Sequence, residues 1–182
     1  MIVHKFGGTS LGEARRFSNV ADIVAEHHLR TKSLGRPGTV VVVSAMSQVT
    51  NQLIQGSRAA AEGQENVWRQ VTAGLRDKHL AVVDSLLGRS SERREIMAFL
   101  EDRLNNLERL YGSLSVLGEL TARGGDATAC FGEQLSAAIL AAVLRERGLA
   151  SQALSASEII VTDDRFGAAS PLPDETRRRL GK

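Results

Sequence analysis

The 182-residue chain has one cysteine, Cys130, only 3 prolines and 4% aromatic residues. A lone thiol closes no intramolecular disulfide, so the fold must be held by its core, and no charged-then-apolar leader opens the chain; a reducing, cytoplasmic setting is expected. No apolar run approaches the roughly 20 residues of a spanning helix, and no membrane partner is expected. Charge of one sign is also scarce: 23 Lys and Arg stand against 21 Asp and Glu. The basic residues are interleaved with acidic ones except at Arg177-Arg178-Arg179, which gives no ground for a nucleic-acid partner. Repeats and low-complexity stretches are missing. What is present, 42% hydrophobic and 24% charged residues, suits a single globular domain with a real core.

Residues 2–6 read as a short strand ended by Gly7-Gly8. Ser10-Leu11-Gly12-Glu13 has the spacing of a capping box, and Phe17, Val20, Ala21, Val24 and Ala25 mark a helix over residues 14–29. A polar loop with Gly and Pro, residues 31–38, leads to a continuous β-branched run over 39–45, the pattern of a strand covered on both faces. The helix between the two strands predicts a parallel pair. Helices are expected over 51–62, 64–87 and 90–117, the last with an apolar stripe through Ile96, Phe99, Leu100, Leu104, Leu107, Leu110 and Leu114. A Gly-rich connection precedes a helix over 130–147. Short strands are expected at 151–154 and 159–162, then a loop, then a helix opening at Glu175. This order predicts a three-layer α/β domain with a helical insertion.

Ligands of open parallel sheets bind beyond the carboxyl ends of the strands. At the first such end Lys5, a turn without side chains, Thr9 and Ser10 bring an ammonium, hydroxyls and free amides together, which suits a phosphate. A lysine snorkelling to water beside an ordinary turn explains the same residues equally well. Neither G-x-x-x-x-G-K-[ST] nor G-x-G-x-x-G is present. At the second strand end Ser44, Ser47 and Thr50 either bind a ligand or cap the next helix. Glu133, early in its helix, either complements the helix dipole or pairs with a substrate ammonium. His4, His27, His28 and His79 have no partners at metal spacing. Cys130 is expected to be structural, and Asp163-Asp164-Arg165 an ion-paired loop.

Four motifs in order, K-F-G-G-T-S at residues 5–10, V-S-A-M-S-Q-V-T-N at 43–51, F-G-E-Q-L-S-A at 131–137 and V-T-D-D-R-F-G-A-A at 161–169, resemble the N-terminal part of the aspartokinases. The resemblance spans essentially the whole chain. It implies the α/β/α sandwich of the amino-acid kinase, carbamate kinase-like, fold: residues 1–182 would form the aspartate and phosphoryl-transfer part, an N-terminal half with a helical insertion. It further implies transfer of the ATP γ-phosphoryl group, with Mg2+ on the nucleotide, to the β-carboxylate of L-aspartate. In that frame Lys5 stabilises the transferring phosphoryl group, Phe6, Gly7, Gly8 and Ser10 line the phosphate path, Ser44 and Thr50 contact aspartate, and Glu133 takes its ammonium. Phosphoryl transfer requires positioning and charge neutralisation more than covalent chemistry, and these residue types supply both. The family continues into an ATP-binding half and regulatory ACT domains that these 182 residues lack, so the chain is expected to be an N-terminal fragment without kinase activity alone, from a parent that acts as a homo-oligomer. The alternatives are a non-catalytic assembly module derived from the kinase, or a kinase for another amino acid.

Overall fold

The computed structural model describes residues 2–33 and 38–181. Strands β1 (Ile2–Phe6) and β2 (Thr39–Val43) pair in parallel, with Ile2 opposite Thr39 and Phe6 opposite Val43. Helix α1 (Ala14–Ser33) makes the crossover and buries Phe17, Val20, Ala21 and Val24, the face that its spacing marked out. It runs on through Thr31, Lys32 and Ser33, where a loop is expected; the rest of that loop, residues 34–37, lies outside the described residues. The anticipated capping box does not form. Ser10 is instead taken into a single 3-10 turn, Gly8–Leu11, and donates its N–H to the Gly7 carbonyl at 2.9 Å.

A helical block follows β2: α2 (Val49–Ala61), α3 (Glu65–Leu86) and α4 (Ser91–Leu117). Helix α4 starts where expected because the Ser90 hydroxyl caps it, accepting the Arg93 N–H at 3.2 Å. The Gly-rich connection holds an unanticipated helix, α5 (Ala122–Ala129). Its glycines are tolerated because Thr121 caps it, accepting from the Gly124 N–H at 3.1 Å, and the Thr128 hydroxyl bonds back to the Gly124 carbonyl. Helix α6 (Phe131–Glu146) then runs through the core with Leu135, Ile139 and Ala142 fully buried. The stretch Ala122–Glu146 is long and apolar enough to cross a membrane by length and composition, contrary to the reading of apolar runs, but 61% of its apolar window is buried inside the molecule. That is the pattern of a core helix.

Neither late strand forms. At residues 151–154 the chain is anchored to α6 instead: the Ser151 hydroxyl donates to the Ala141 carbonyl at 2.9 Å and Arg145 donates to the Ser151 carbonyl at 3.1 Å. Residues at 156–159 make the single-turn helix α7 (Ala156–Ile159), and Thr162 makes only an isolated bridge to Pro171. Helix α8 (Pro173–Leu180) opens on proline, two residues before the expected start.

Helices α1 and α6 pack on the sheet, and Phe6, Val41 and Val43 pack against the core. The other face carries Val3, Lys5, Val40 and Val42, all exposed. Among the described residues, no helix covers it, so β2 is not the doubly covered strand its composition suggests.

Candidate functional site

The carboxyl ends of β1 and β2 are locked side by side: the Ser44 N–H donates to the Phe6 carbonyl at 3.1 Å, extending the parallel ladder by one bond. Beyond that bond the chain turns away in two loops, Gly7 to Glu13 from β1 and Ser44 to Gln48 from β2. Lys5, exposed on the open face, curls back so that its Nζ lies 3.9 Å from where a Gly7 side chain would begin. The exposed ammonium therefore stands over the glycine turn. At Gly8 a side chain would begin 2.8 Å from the Ala45 carbonyl oxygen. A carbon atom does not fit there, so the close approach of the two loops requires glycine.

The second loop is held from three directions. From α6, the Glu133 carboxylate accepts the Ala45 N–H at 3.4 Å through Oε1. From α3, the Lys78 ammonium donates to the Ser47 carbonyl. From the first loop, Gly12 packs on the Ser47 Cβ. Gln48, just before α2, has φ of 67°, a left-handed conformation rare for a residue with a side chain. The Asn51 amide donates to its side chain at 3.0 Å and fixes it there. Strain of this kind gathers where surrounding contacts over-determine a loop.

The structure thus brings Lys5, Phe6, Gly7 and Gly8 together with Ser44 and Glu133. Ser10, half-buried in the 3-10 turn, belongs to the same corner. Thr50 lies in the first turn of α2, half-buried, and among the described residues its hydroxyl makes no hydrogen bond to the others. Neither Ser44 nor Thr50 is a cap, because the residue at the capping position of α2 is Gln48 and no side chain caps that helix. Three contributors escaped the sequence reading: Ala45 through its N–H, Lys78, and Gly132, whose place in α6 is filled from outside by Ala45, Val49 and Leu53. The motifs contain Ala45 and Gly132, but only the tertiary contact marks them; nothing in its own stretch singles out Lys78.

Glu133 also walls a cavity of about 780 Å3 between β2, α6 and residues 149–160. Cys130 shares that wall. Burial, and after it the Glu133 carboxylate, pushes the thiol's pKa up, which keeps it protonated and unreactive. Asp163 accepts from Arg165 at 2.9 Å and from the Ser170 N–H at 3.0 Å, so it organises its own loop as an ion-paired turn. These bonds, led by the one from Ser170, hold its carboxyl below the usual range.

Comparisons with known proteins place the chain in a family. The chain is 33% identical over 159 residues to the bifunctional aspartokinase/homoserine dehydrogenase 1, chloroplastic, of Arabidopsis thaliana, covering 87% of this chain and 16% of that protein. The E. coli aspartokinase III structure in complex with lysine and aspartate superposes with a TM-score of 0.82 at 26% identity, covering all of this chain and 37% of that one. The same enzyme in complex with aspartate and ADP gives 0.80 at 27% identity and the same coverage. The chain therefore spans little more than a third of these proteins at most, and it is similar to an N-terminal portion of them. The family model described as "Amino acid kinase family" matches residues 1–179, and with the superposition over the full chain it establishes that this chain belongs to the amino acid kinase family.

Proposed function

We propose that this chain carries the aspartate and phosphoryl-handling part of an aspartate kinase, which moves the γ-phosphoryl group of ATP to the β-carboxylate of L-aspartate and yields 4-phospho-L-aspartate for lysine, threonine and methionine synthesis. The observation that supports it is the convergence at Ala45, where the Gly8 turn meets its carbonyl and Glu133 meets its N–H. One carboxylate oxygen of Glu133 is oriented by that bond and the other is left for the α-ammonium of an amino acid. In this reading the Ser44 and Thr50 hydroxyls serve as donors to the substrate carboxylates. Across the corner the backbone of Phe6, Gly7 and Gly8, with Ser10, lines the phosphate path in this reading, and Lys5 supplies the positive charge that a phosphoryl group in transit requires.

The acceptor carboxylate is ionised at neutral pH and needs no general base; the work of the protein is to hold acceptor and donor in line. ATP supplies the phosphoryl group. Magnesium would be carried on the triphosphate oxygens and water. The names of the relatives support the choice of aspartate, and the E. coli aspartokinase III structure contains both aspartate and ADP. With Lys5 on an open face, we further propose that these 182 residues alone bind aspartate without turning over ATP, in a parent that works in the cytoplasm as a homo-oligomer.

Calorimetric titration of the chain with L-aspartate tests the reading. Saturable binding is expected, abolished by Glu133→Ala with the circular dichroism spectrum retained. Absence of binding by the unaltered chain, or equal binding by the variant, refutes it. A second reading, a non-catalytic assembly module, draws on the open face of Val3, Val40 and Val42, which are 57%, 44% and 46% exposed. Concentration-dependent dimers that bind no aspartate would select it.

A further inference from the structure

We propose that Gly132 is a positioning residue: by presenting no side chain to Ala45 it seats the first turn of α6, and that seating sets the Glu133 carboxylate against the Ala45 N–H. The proposal rests on the aspartate-kinase reading above for what Glu133 then binds. A glycine inside a helix is less favourable than alanine by about 1 kcal/mol, and Gly132 has no left-handed backbone to justify it, since the positive-φ glycines are Gly63, Gly118, Gly148 and Gly167. The reason is space. A side chain at Gly132 would begin 2.5 Å from the Ala45 Cβ, 3.1 Å from Val49 Cγ1 and 3.4 Å from Leu53 Cδ1.

Carbon atoms rest at about 3.5–4.0 Å, so the two methyl positions have to separate by about 1 Å. Neither side yields easily. Ala45, Val49 and Leu53 are buried to within 2% of their surface, and α6 is pinned one turn further on by fully buried Leu135, Ser136 and Ile139. The displacement falls on the N-terminal turn of α6, which is the turn carrying Glu133. Its bond to Ala45, already 3.4 Å long, would open. On its other side Ala45 is met by Gly8, where a side chain would begin 2.8 Å from the Ala45 carbonyl oxygen. Ala45 is thus clasped between two glycines, one from the phosphate turn and one from the helix that holds the ammonium ligand, and the spacing of the two half-sites is fixed through it.

The test exchanges the methyl group. Aspartate binding by the full chain is measured calorimetrically for Gly132→Ala, for Ala45→Gly, and for the double variant, in which the methyl lost at position 45 makes room for the one gained at 132. Gly74→Ala is the control, because Gly74 lies mid-helix with nothing within 4 Å of an added side chain. Gly132→Ala is expected to weaken binding by roughly tenfold or more, the double variant to recover most of it, and the control to match the unaltered chain. Equal binding by Gly132→Ala, or no recovery in the double variant, overturns the proposal. A chain that binds no aspartate would refute the aspartate reading, and the seating is then decided by hydrogen exchange at the Ala45 amide. Faster exchange in Gly132→Ala, reversed in the double variant, supports it; unchanged exchange overturns it.

Discussion

The helical block α2 to α4 and the two-stranded sheet are built from the same kinds of residue and end in opposite states. In the block, Leu53, Leu75, Leu100, Leu104, Leu107 and Tyr111 have no exposed surface, Tyr111 stands edge-on to Trp68 at 6.0 Å, and its hydroxyl donates to the Leu53 carbonyl at 2.8 Å. Arg76 of α3 reaches both Glu101 and Glu108 of α4. Short connections and successive antiparallel packing let these helices bury their stripes on one another. The sheet has two strands and leaves Val3, Val40 and Val42 in solvent. A pair of strands is marginal by itself, and this pair is kept in place by α1 and α6 on one side. The difference teaches that burial is concentrated in the block while the sheet carries the candidate site at its edge, and that the join between them is Ala45, Ser47 and the first turn of α2.

The sharpest way to break that division is inside the block. An added side chain at Gly56 would begin 2.6 to 2.8 Å from three atoms of the Tyr111 ring and hydroxyl. Overpacking of this sort costs about 1–3 kcal/mol, partly offset by the roughly 1 kcal/mol that alanine gains over glycine in a helix. Three contacts this short place the cost at the top of that range, so Gly56→Ala is expected to lower stability by about 2 kcal/mol in urea titration, with most of the loss recovered when Tyr111 is replaced by leucine in the same chain. A stability unchanged within error would show that α2 and α4 are not closed on each other.

A smaller effect is expected from the imidazole ring buried in the block. His79 is fully buried, its Nδ1 bonded to the Leu75 carbonyl at 2.6 Å and its Nε2 without a partner among the described residues. Burial first, and then the neighbouring Lys78 ammonium, lowers its pKa from 6.5, against the opposing pull of the Leu75 carbonyl. The folded state therefore keeps the ring neutral, and the unfolded chain takes up the proton first. Stability from this group is full above pH 6.5 and is lost as pH falls below it, by at most about 1.4 kcal/mol per pH unit for one proton. Urea midpoints measured from pH 7 down to pH 5 should fall in the unaltered chain and flatten in His79→Leu; equal slopes would refute the assignment.

The division was partly legible in the sequence. The apolar stripe of α4 and the β-branched run of β2 report their elements directly, because periodicity of 3.6 or continuous branching is a local property. Lys5, Gly7, Gly8 and Glu133 were legible through motifs, and the structure gathers them at one corner. Contact across long separations was not: Glu133 meets Ala45 over 88 positions and Lys78 meets Ser47 over 31, and no spacing rule reports a pairing between elements. The capping box at Ser10 failed for a related reason. Its residues have the right local chemistry, but Gly8 and Gly12 let the turn tighten against Ala45 and Ser47, and that contact decides the geometry. The strands expected at 151–154 and 159–162 have strand composition, but Thr162 finds only an isolated bridge to Pro171, and α6 binds Ser151 through its carbonyl and its hydroxyl instead.

The open face of the sheet should be nearly silent to substitution. Val42 is 46% exposed and stands opposite Lys5 in the parallel register. Replacing valine by threonine there keeps the β-branch that suits a strand and exchanges one methyl for a hydroxyl that water can reach. Away from core, caps and strained turns such changes stay within about 0.5 kcal/mol. Val42→Thr is therefore expected to leave the urea midpoint of the 182-residue chain unmoved, whereas the same exchange at Val83, which has no exposed surface, puts a hydroxyl in place of a methyl in the apolar core and should cost about 1–3 kcal/mol. If Val42→Thr instead destabilises in proportion to protein concentration, the face is covered in solution by another copy of the chain, and the sheet owes its stability to association as well as to α1 and α6.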